Sequence, residues 1–97
     1  MTVSELRAQY IAGTYSPVTA VEEALRVIKE RDGDIHAFID VYGDEALAAA
    51  KAAEAEYAKS GENTPALLGI PVALKNNILV TGKRATAGSK ILENYIA

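Results

Sequence analysis

The 97-residue chain contains no cysteine and no tryptophan. A disulfide framework, an iron–sulfur centre, a thiolate zinc site and a cysteine nucleophile are therefore excluded. Histidine occurs once, at His36. A serine–histidine triad or a histidine-rich metal cluster would have to be built on that residue, and the carboxylates near it show no ligand spacing. Aromatic residues make up 6% of the chain, and Val, Ile, Leu and Phe together number 24 against 18 alanines. Large core-forming side chains are scarce, and a chain of this size buries a smaller share of its surface than a domain of roughly 150 residues. No apolar run approaches the roughly 18 residues of a membrane span. The opening MTVSELRAQY is amphipathic and mixed in charge, unlike a secretory leader, so a cytoplasmic location without membrane contact is the expectation. With 13 Asp and Glu against 10 Lys and Arg the net charge is −3. Scattered, mildly acidic charge does not suit a protein that binds nucleic acid by itself, which needs clustered cations.

What is present reads first as helices. Thr2 and Glu5 have the spacing of a capping box, Val3, Leu6 and Tyr10 share a face, and Gly13 supplies a stop after about Ala12. Ser16-Pro17 opens a second helix, on which Val18, Val21, Leu25 and Ile28 recur at intervals of three and four. It is expected to end near Arg31, with Asp32-Gly33 as the turn. The β-branched and aromatic residues of Ile35 to Tyr42 predict a strand of about five residues. An alanine-rich helix follows from Asp44 to Lys59, closed by Ser60-Gly61.

Beyond the loop of Glu62 to Ala66 the character changes. Leu67 to Val80 holds a single charge, Lys75, and reads as a strand buried on both faces, as in the interior of an α/β sheet. Such a strand needs neighbours on both sides, and with one other strand in this chain, part of the sheet is expected to be missing or supplied by another polypeptide. The tail from Lys90 to Ala97 is helical or irregular. The expected organisation is one segment, 1–97, helical over 1–61 and sheet-forming over 67–97.

Lys75 stands where that strand would emerge into a loop, the place at which active-site groups of open α/β sheets collect. A lysine desolvated there loses its preference for the ammonium form, and the neutral amine can act as a base. The alternative is a lysine that reaches for water. The loop Thr86-Ala87-Gly88-Ser89 offers N–H groups and hydroxyls to an anion, or is a tight turn of small residues. Gly82-Lys83 leads into Arg84, and Asn77 stands where a phosphate-cradling loop would need its first glycine, so no Walker sequence is present. Lys83, Arg84 and Lys90 read as a weak basic cluster on solvated surface, and Glu22-Glu23 as carboxylates on a solvated helix face. His36 reads as structural.

The stretch from Leu68 to Ile78, with Gly69-Ile70-Pro71-Val72-Ala73-Leu74-Lys75-Asn76-Asn77 at its centre, followed by Gly82 and by Thr86-Ala87-Gly88-Ser89, resembles the start of the amidase-signature family. Within that family the tail Ser89 to Tyr95 is most similar to the A subunit of the amidotransferases that act on glutamyl-tRNA(Gln) or aspartyl-tRNA(Asn). The resemblance covers essentially the whole chain and only the first part of the family's sequence. It implies an α/β fold, in which N-terminal helices precede the first strands of a mixed sheet sandwiched by helices, incomplete in this chain. It also implies a serine–cis-serine–lysine mechanism in which Lys75 is the base and both serines lie well beyond residue 97. Ser89 belongs to another motif and is not the nucleophile.

The activity implied is hydrolysis of glutamine to ammonia, within a heterotrimer whose partner subunit uses ATP and magnesium to amidate misacylated tRNA. No cofactor or metal is implied for this chain, and alone it is expected to be inactive. A stand-alone amidase of the same family and a non-catalytic docking module are the alternatives. Two positions depart from the family pattern: many relatives have aspartate where this chain has Asn76, and threonine is common at the place of Ala85. Asn76 removes a negative charge that would otherwise favour protonated Lys75.

Overall fold

A computed structural model describes residues 2–97. The first helix, α1, spans Val3–Ala12, and its start is the expected capping box. The Thr2 hydroxyl accepts from Glu5 N–H at 3.1 Å, and the Glu5 carboxylate accepts from Thr2 N–H at 3.4 Å. Gly13 ends it at φ +75°, a left-handed conformation that costs glycine nothing. Helix α2 spans Pro17–Ile35, capped by the Ser16 hydroxyl on Val18 N–H at 3.0 Å. Helix α3 spans Gly43–Ser60 and passes directly into a single 3₁₀ turn, Gly61–Asn63. The sequence also sets Ala46, Ala50, Ala53 and Tyr57 on one small face of this helix; Ala50, Ala53 and Tyr57 are buried and Ala46 half-buried, because methyl groups let α2 and then α1 approach α3 closely.

The chain divides into two compact units, one formed by 1–37 with 42–71, the other by 38–41 with 72–97. In the helical unit, the core is built from Tyr10, Val21, Ala50, Ala53 and Tyr57 around a fully buried Pro17. The Tyr10 and Tyr57 rings meet at 5.3 Å, and Tyr15 stacks on Tyr10 at 6.5 Å. Both buried hydroxyls end on the main chain of the segment after α3. Tyr57 donates to the Leu68 carbonyl at 2.7 Å and Tyr10 to the Gly69 carbonyl at 2.9 Å. Burial, then the neighbouring Tyr57 and Tyr15, push the Tyr10 hydroxyl up to about 12. Arg7 wraps the same segment from α1. Its guanidinium donates to the Thr64 hydroxyl at 3.0 Å and to the carbonyls of Glu62, Thr64 and Pro65 at 2.9–3.1 Å. Gly69 has φ +75°, and a Cβ there would stand 3.0 Å from Pro17 Cβ and Cγ, so both conformation and space demand glycine.

The second unit is irregular. The last residues return antiparallel to 82–85: Gly82 N–H donates to the Ala97 carbonyl at 2.7 Å, Ala97 N–H to Lys83 at 3.0 Å and Ala85 N–H to Tyr95 at 3.2 Å. The pairing is an isolated bridge, Arg84 with Ile96. A 3₁₀ turn, Lys90–Leu92, precedes it, capped by the Ser89 hydroxyl. The tail is thus a short 3₁₀ turn followed by a bridge.

Two expected strands are corrected. Helix α2 continues through Asp32 and Gly33 to Ile35, and the residues after it form no strand. What stops the helix is His36 at φ +54°, whose N–H returns to the Asp32 carbonyl at 2.7 Å, while the Asp32 carboxylate accepts from Ala37 N–H. The stretch Leu67 to Val80 is irregular chain between turns, one ending at Gly69 and one over Asn76-Asn77, and Leu67, Val72, Leu74, Ile78 and Leu79 are exposed rather than buried. A strand is held by ladder partners on neighbouring chain, and no ladder forms along this run among the described residues. These residues therefore show three helices and one bridge, and not the sheet of an α/β fold.

Candidate functional site

Lys75 lies in the irregular segment that enters the second unit, with an exposed side chain that makes no hydrogen bond or ion pair among the described residues. These residues do not bury the Lys75 amine as the expected strand would have done. Its main chain, by contrast, is held. The Lys75 carbonyl accepts from Ile78 N–H at 3.0 Å, closing a turn over Asn76-Asn77.

The next residue ties this segment to the small-residue loop. The Asn76 side-chain oxygen accepts from Thr86 N–H, and the Asn76 carbonyl accepts from Ala87 N–H at 3.2 Å. Within the loop Ser89 N–H donates to the Thr86 carbonyl at 2.9 Å and Gly88 N–H to the Thr86 hydroxyl at 3.2 Å. Ala87 and Gly88 have φ +51° and +73°, the signature of a type I′ turn. All four N–H groups of Thr86 to Ser89 are therefore spent inside the protein. The tight-turn reading of this loop holds and the anion-binding reading does not. The Ser89 hydroxyl accepts from Ile91 N–H at 3.3 Å as a cap, a structural task.

Arg84 corrects the view of a solvated basic cluster. Its guanidinium grips both Asp40 carboxylate oxygens at 3.0 Å and donates to the Glu93 carbonyl at 2.7 Å. The fork geometry neutralises the cation and staples 38–41 to the tail. Beside it an open concavity of about 270 Å³ is lined by Ile39, Arg84, Thr86, Ser89, Lys90 and Glu93 among others, and not by Lys75. Among the described residues no three His, Asp or Glu side chains come together as a metal site would need, and no helix is long and apolar enough to cross a membrane. Glu22 is exposed, and Glu23 bonds Arg26 on the same helix face, which holds its carboxyl below the usual range. His36 is exposed and ends α2.

The Amidase family model matches residues 19–97. The chain belongs to the amidase family. Among curated proteins this amidase-family chain is similar to three that are named as the A subunit of glutamyl-tRNA(Gln) amidotransferase. The protein of Geobacter sulfurreducens is 44% identical over 96 residues, that of Thioalkalivibrio sulfidiphilus 42% over 96 and that of Gloeobacter violaceus 38% over 94. The alignments cover 97–99% of this chain and 19% of each relative, so the chain spans about a fifth of the length of the curated relatives it matches. No solved structure gives a significant match.

Sequence reasoning singled out Lys75 but set it at the end of a buried strand, where the structure has exposed irregular chain, and it missed what surrounds it. Asn76 was legible only as a departure from the family pattern, yet its side-chain oxygen is an acceptor that aspartate would equally provide. The Arg84–Asp40 pair joins residues 44 apart, and no local signal announces it.

Proposed function

We propose that this chain is part of a glutamine-hydrolysing amidase-family subunit of a tRNA-dependent amidotransferase, with Lys75 as the base of its hydrolytic site. The observation that carries the reading is the similarity of nearly the whole chain to proteins of that one name. It is supported by the position of Lys75 at the end of the Gly69–Leu74 run, the motif by which the sequence resembles the family.

In this mechanism the Lys75 amine, once deprotonated, takes a proton through a bridging serine in a cis peptide, and the nucleophilic serine attacks the glutamine amide. Ammonia leaves and glutamate is released by water. Both serines lie outside the chain. An ammonium has no lone pair, so the complete site must favour the free amine of Lys75, by covering it, by a neighbouring cation or by hydrogen bonds to the neutral form. The ammonia is passed to a partner subunit of a heterotrimer, which uses ATP and magnesium to amidate the misacylated tRNA and provides most of the tRNA contact. The reaction is placed in the cytoplasm.

The test is turnover at saturating glutamine in the full-length protein. Lys75→Ala should lower kcat by orders of magnitude with a much smaller change in KM. Lys75→Arg should not rescue it, because guanidinium stays protonated. Near-normal activity of the arginine variant would remove Lys75 from base chemistry. Hydrolysis of simple amides with equal efficiency, and no tRNA amidation on adding the partner subunits, would favour a stand-alone amidase. The 97-residue chain alone should release no ammonia, having a base without nucleophile or relay.

A further inference from the structure

The Lys75 main chain is clasped from two directions. Ile78 N–H holds its carbonyl at 3.0 Å, and the residue that follows it accepts twice from the turn Thr86 to Ser89. A single hydrogen bond fixes a distance and leaves a pivot. Two acceptors of one residue, a side-chain oxygen and a main-chain carbonyl, on two consecutive N–H groups fix rotation as well. We propose that Asn76 is the positioning residue for Lys75, locking the direction in which the lysine leaves the chain by docking its own amide oxygen on Thr86 N–H. The inference rests on Lys75 being the base.

The turn is a firm platform. Its remaining donors are used internally, on the Thr86 hydroxyl and carbonyl. Ala87 and Gly88 both hold positive φ, so the turn has little freedom to follow a displaced partner. Thr86 is 4% exposed. Removing the Asn76 oxygen would leave its N–H without water to replace the lost acceptor. Aspartate offers an oxygen at the same reach, alanine offers none, and glutamine places it one methylene too far.

The experiment uses the full-length enzyme with glutamine, together with hydrogen exchange of the peptide covering residues 84–89. Asn76→Ala should lower kcat about 100-fold, the scale of an ångström misplacement of a reacting group. KM should stay within about threefold, exchange at Thr86 and Ala87 should quicken, and Asn76→Asp, which keeps the acceptor but adds a charge that favours protonated Lys75, should keep the Thr86 and Ala87 exchange of the unmodified enzyme and lose less kcat than Asn76→Ala. Asn76→Gln, which keeps the polarity and disturbs only the reach, is the second variant in case alanine prevents folding, and should lose about tenfold in kcat. The proposal is overturned if Asn76→Ala and Asn76→Gln keep kcat within about twofold while Lys75→Ala is inactive, a result that leaves the base reading standing. It is also overturned if the loss falls on KM, or if Asn76→Asp quickens exchange at Thr86 and Ala87 as much as Asn76→Ala does. An active Lys75→Ala enzyme overturns the base reading and this inference together.

Discussion

The helical unit and the irregular unit use opposite means to hold their chain. In the first, side chains from α1 and α3 reach the segment that follows α3: the buried Tyr10 and Tyr57 through their hydroxyls, the half-buried Arg7 through its guanidinium. Rings and methyl groups provide the packing, and the polar tips satisfy carbonyls that a loop would otherwise show to water. In the second, Ile39, Val72, Leu74, Ile91 and Ile96 are half or more exposed. Cohesion there comes from polar clasps, namely Asn76 on the turn, Arg84 on Asp40 and the short return of the tail. Hydrophobic burial is roughly proportional to area and tolerates small displacements, whereas a clasp depends on geometry at one or two atoms. The unit carrying Lys75 is therefore the one whose order depends on a few named hydrogen bonds.

The comparison is most severely tested at Gly69. Alanine there must adopt φ +75° and bring its Cβ to 3.0 Å from a fully buried Pro17. The left-handed conformation and the overpacking should together cost about 2–4 kcal/mol. Thermal or urea unfolding followed by helical circular dichroism reads the loss, and an unchanged midpoint would show that the segment after α3 is not held as described. Tyr57→Phe is next. It leaves the Leu68 carbonyl and the Arg7 donor without the hydroxyl, and should cost about 1–2 kcal/mol by the same measurement.

What could be foreseen in these two units follows the range of the forces involved. The Thr2–Glu5 box, the Ser16-Pro17 start and the Gly13 stop act within four residues, and they stand where the sequence puts them. The stop at His36 could not be foreseen, because a left-handed histidine leaves no mark in the sequence and Asp32-Gly33 looked like a turn. Phe38, Ile39 and Val41 suit a strand by propensity, but propensity without a ladder partner yields irregular chain. The same holds for Leu67 to Val80. At the candidate site the tight turn at Thr86 was legible in the sequence, and Lys75 was legible as a motif residue but not in its exposure. Their connection through Asn76 spans ten residues and was not.

In the irregular unit the corresponding test is Arg84→Lys, which keeps the charge and loses the fork on Asp40. The pair is about one-third exposed, so the expected cost is small, about 1 kcal/mol or less. The useful readout is local: exchange of the Gly82, Ala85 and Ala97 amides should quicken. If those amides keep their protection, the tail is held by its main-chain return alone, and the contrast between packing and clasp is overstated.

The smallest effect is invisible at neutral pH and belongs to the helical unit alone. Burial beside Tyr57 and Tyr15 pushes the Tyr10 hydroxyl from the ordinary 10.0 to about 12. An unfolded chain releases that proton near pH 10, while the folded chain holds it to about 12, so between these values the unfolded state binds fewer protons. Stability must then fall as pH rises. The contribution is fully present below pH 10 and is lost progressively through about pH 12. Other tyrosines and the lysines titrate in the same window, so the measurement is a difference: unfolding midpoints of the unmodified chain and of Tyr10→Phe from pH 8 to 12. Tyr10→Phe lowers stability below pH 10 by removing the bond to Gly69, and its decline above pH 10 should be shallower, because the phenylalanine has no proton for the unfolded state to lose. Parallel curves would mean that the Tyr10 hydroxyl ionises as readily in the folded protein as in water, and that the ring cluster is wetter than its packing indicates.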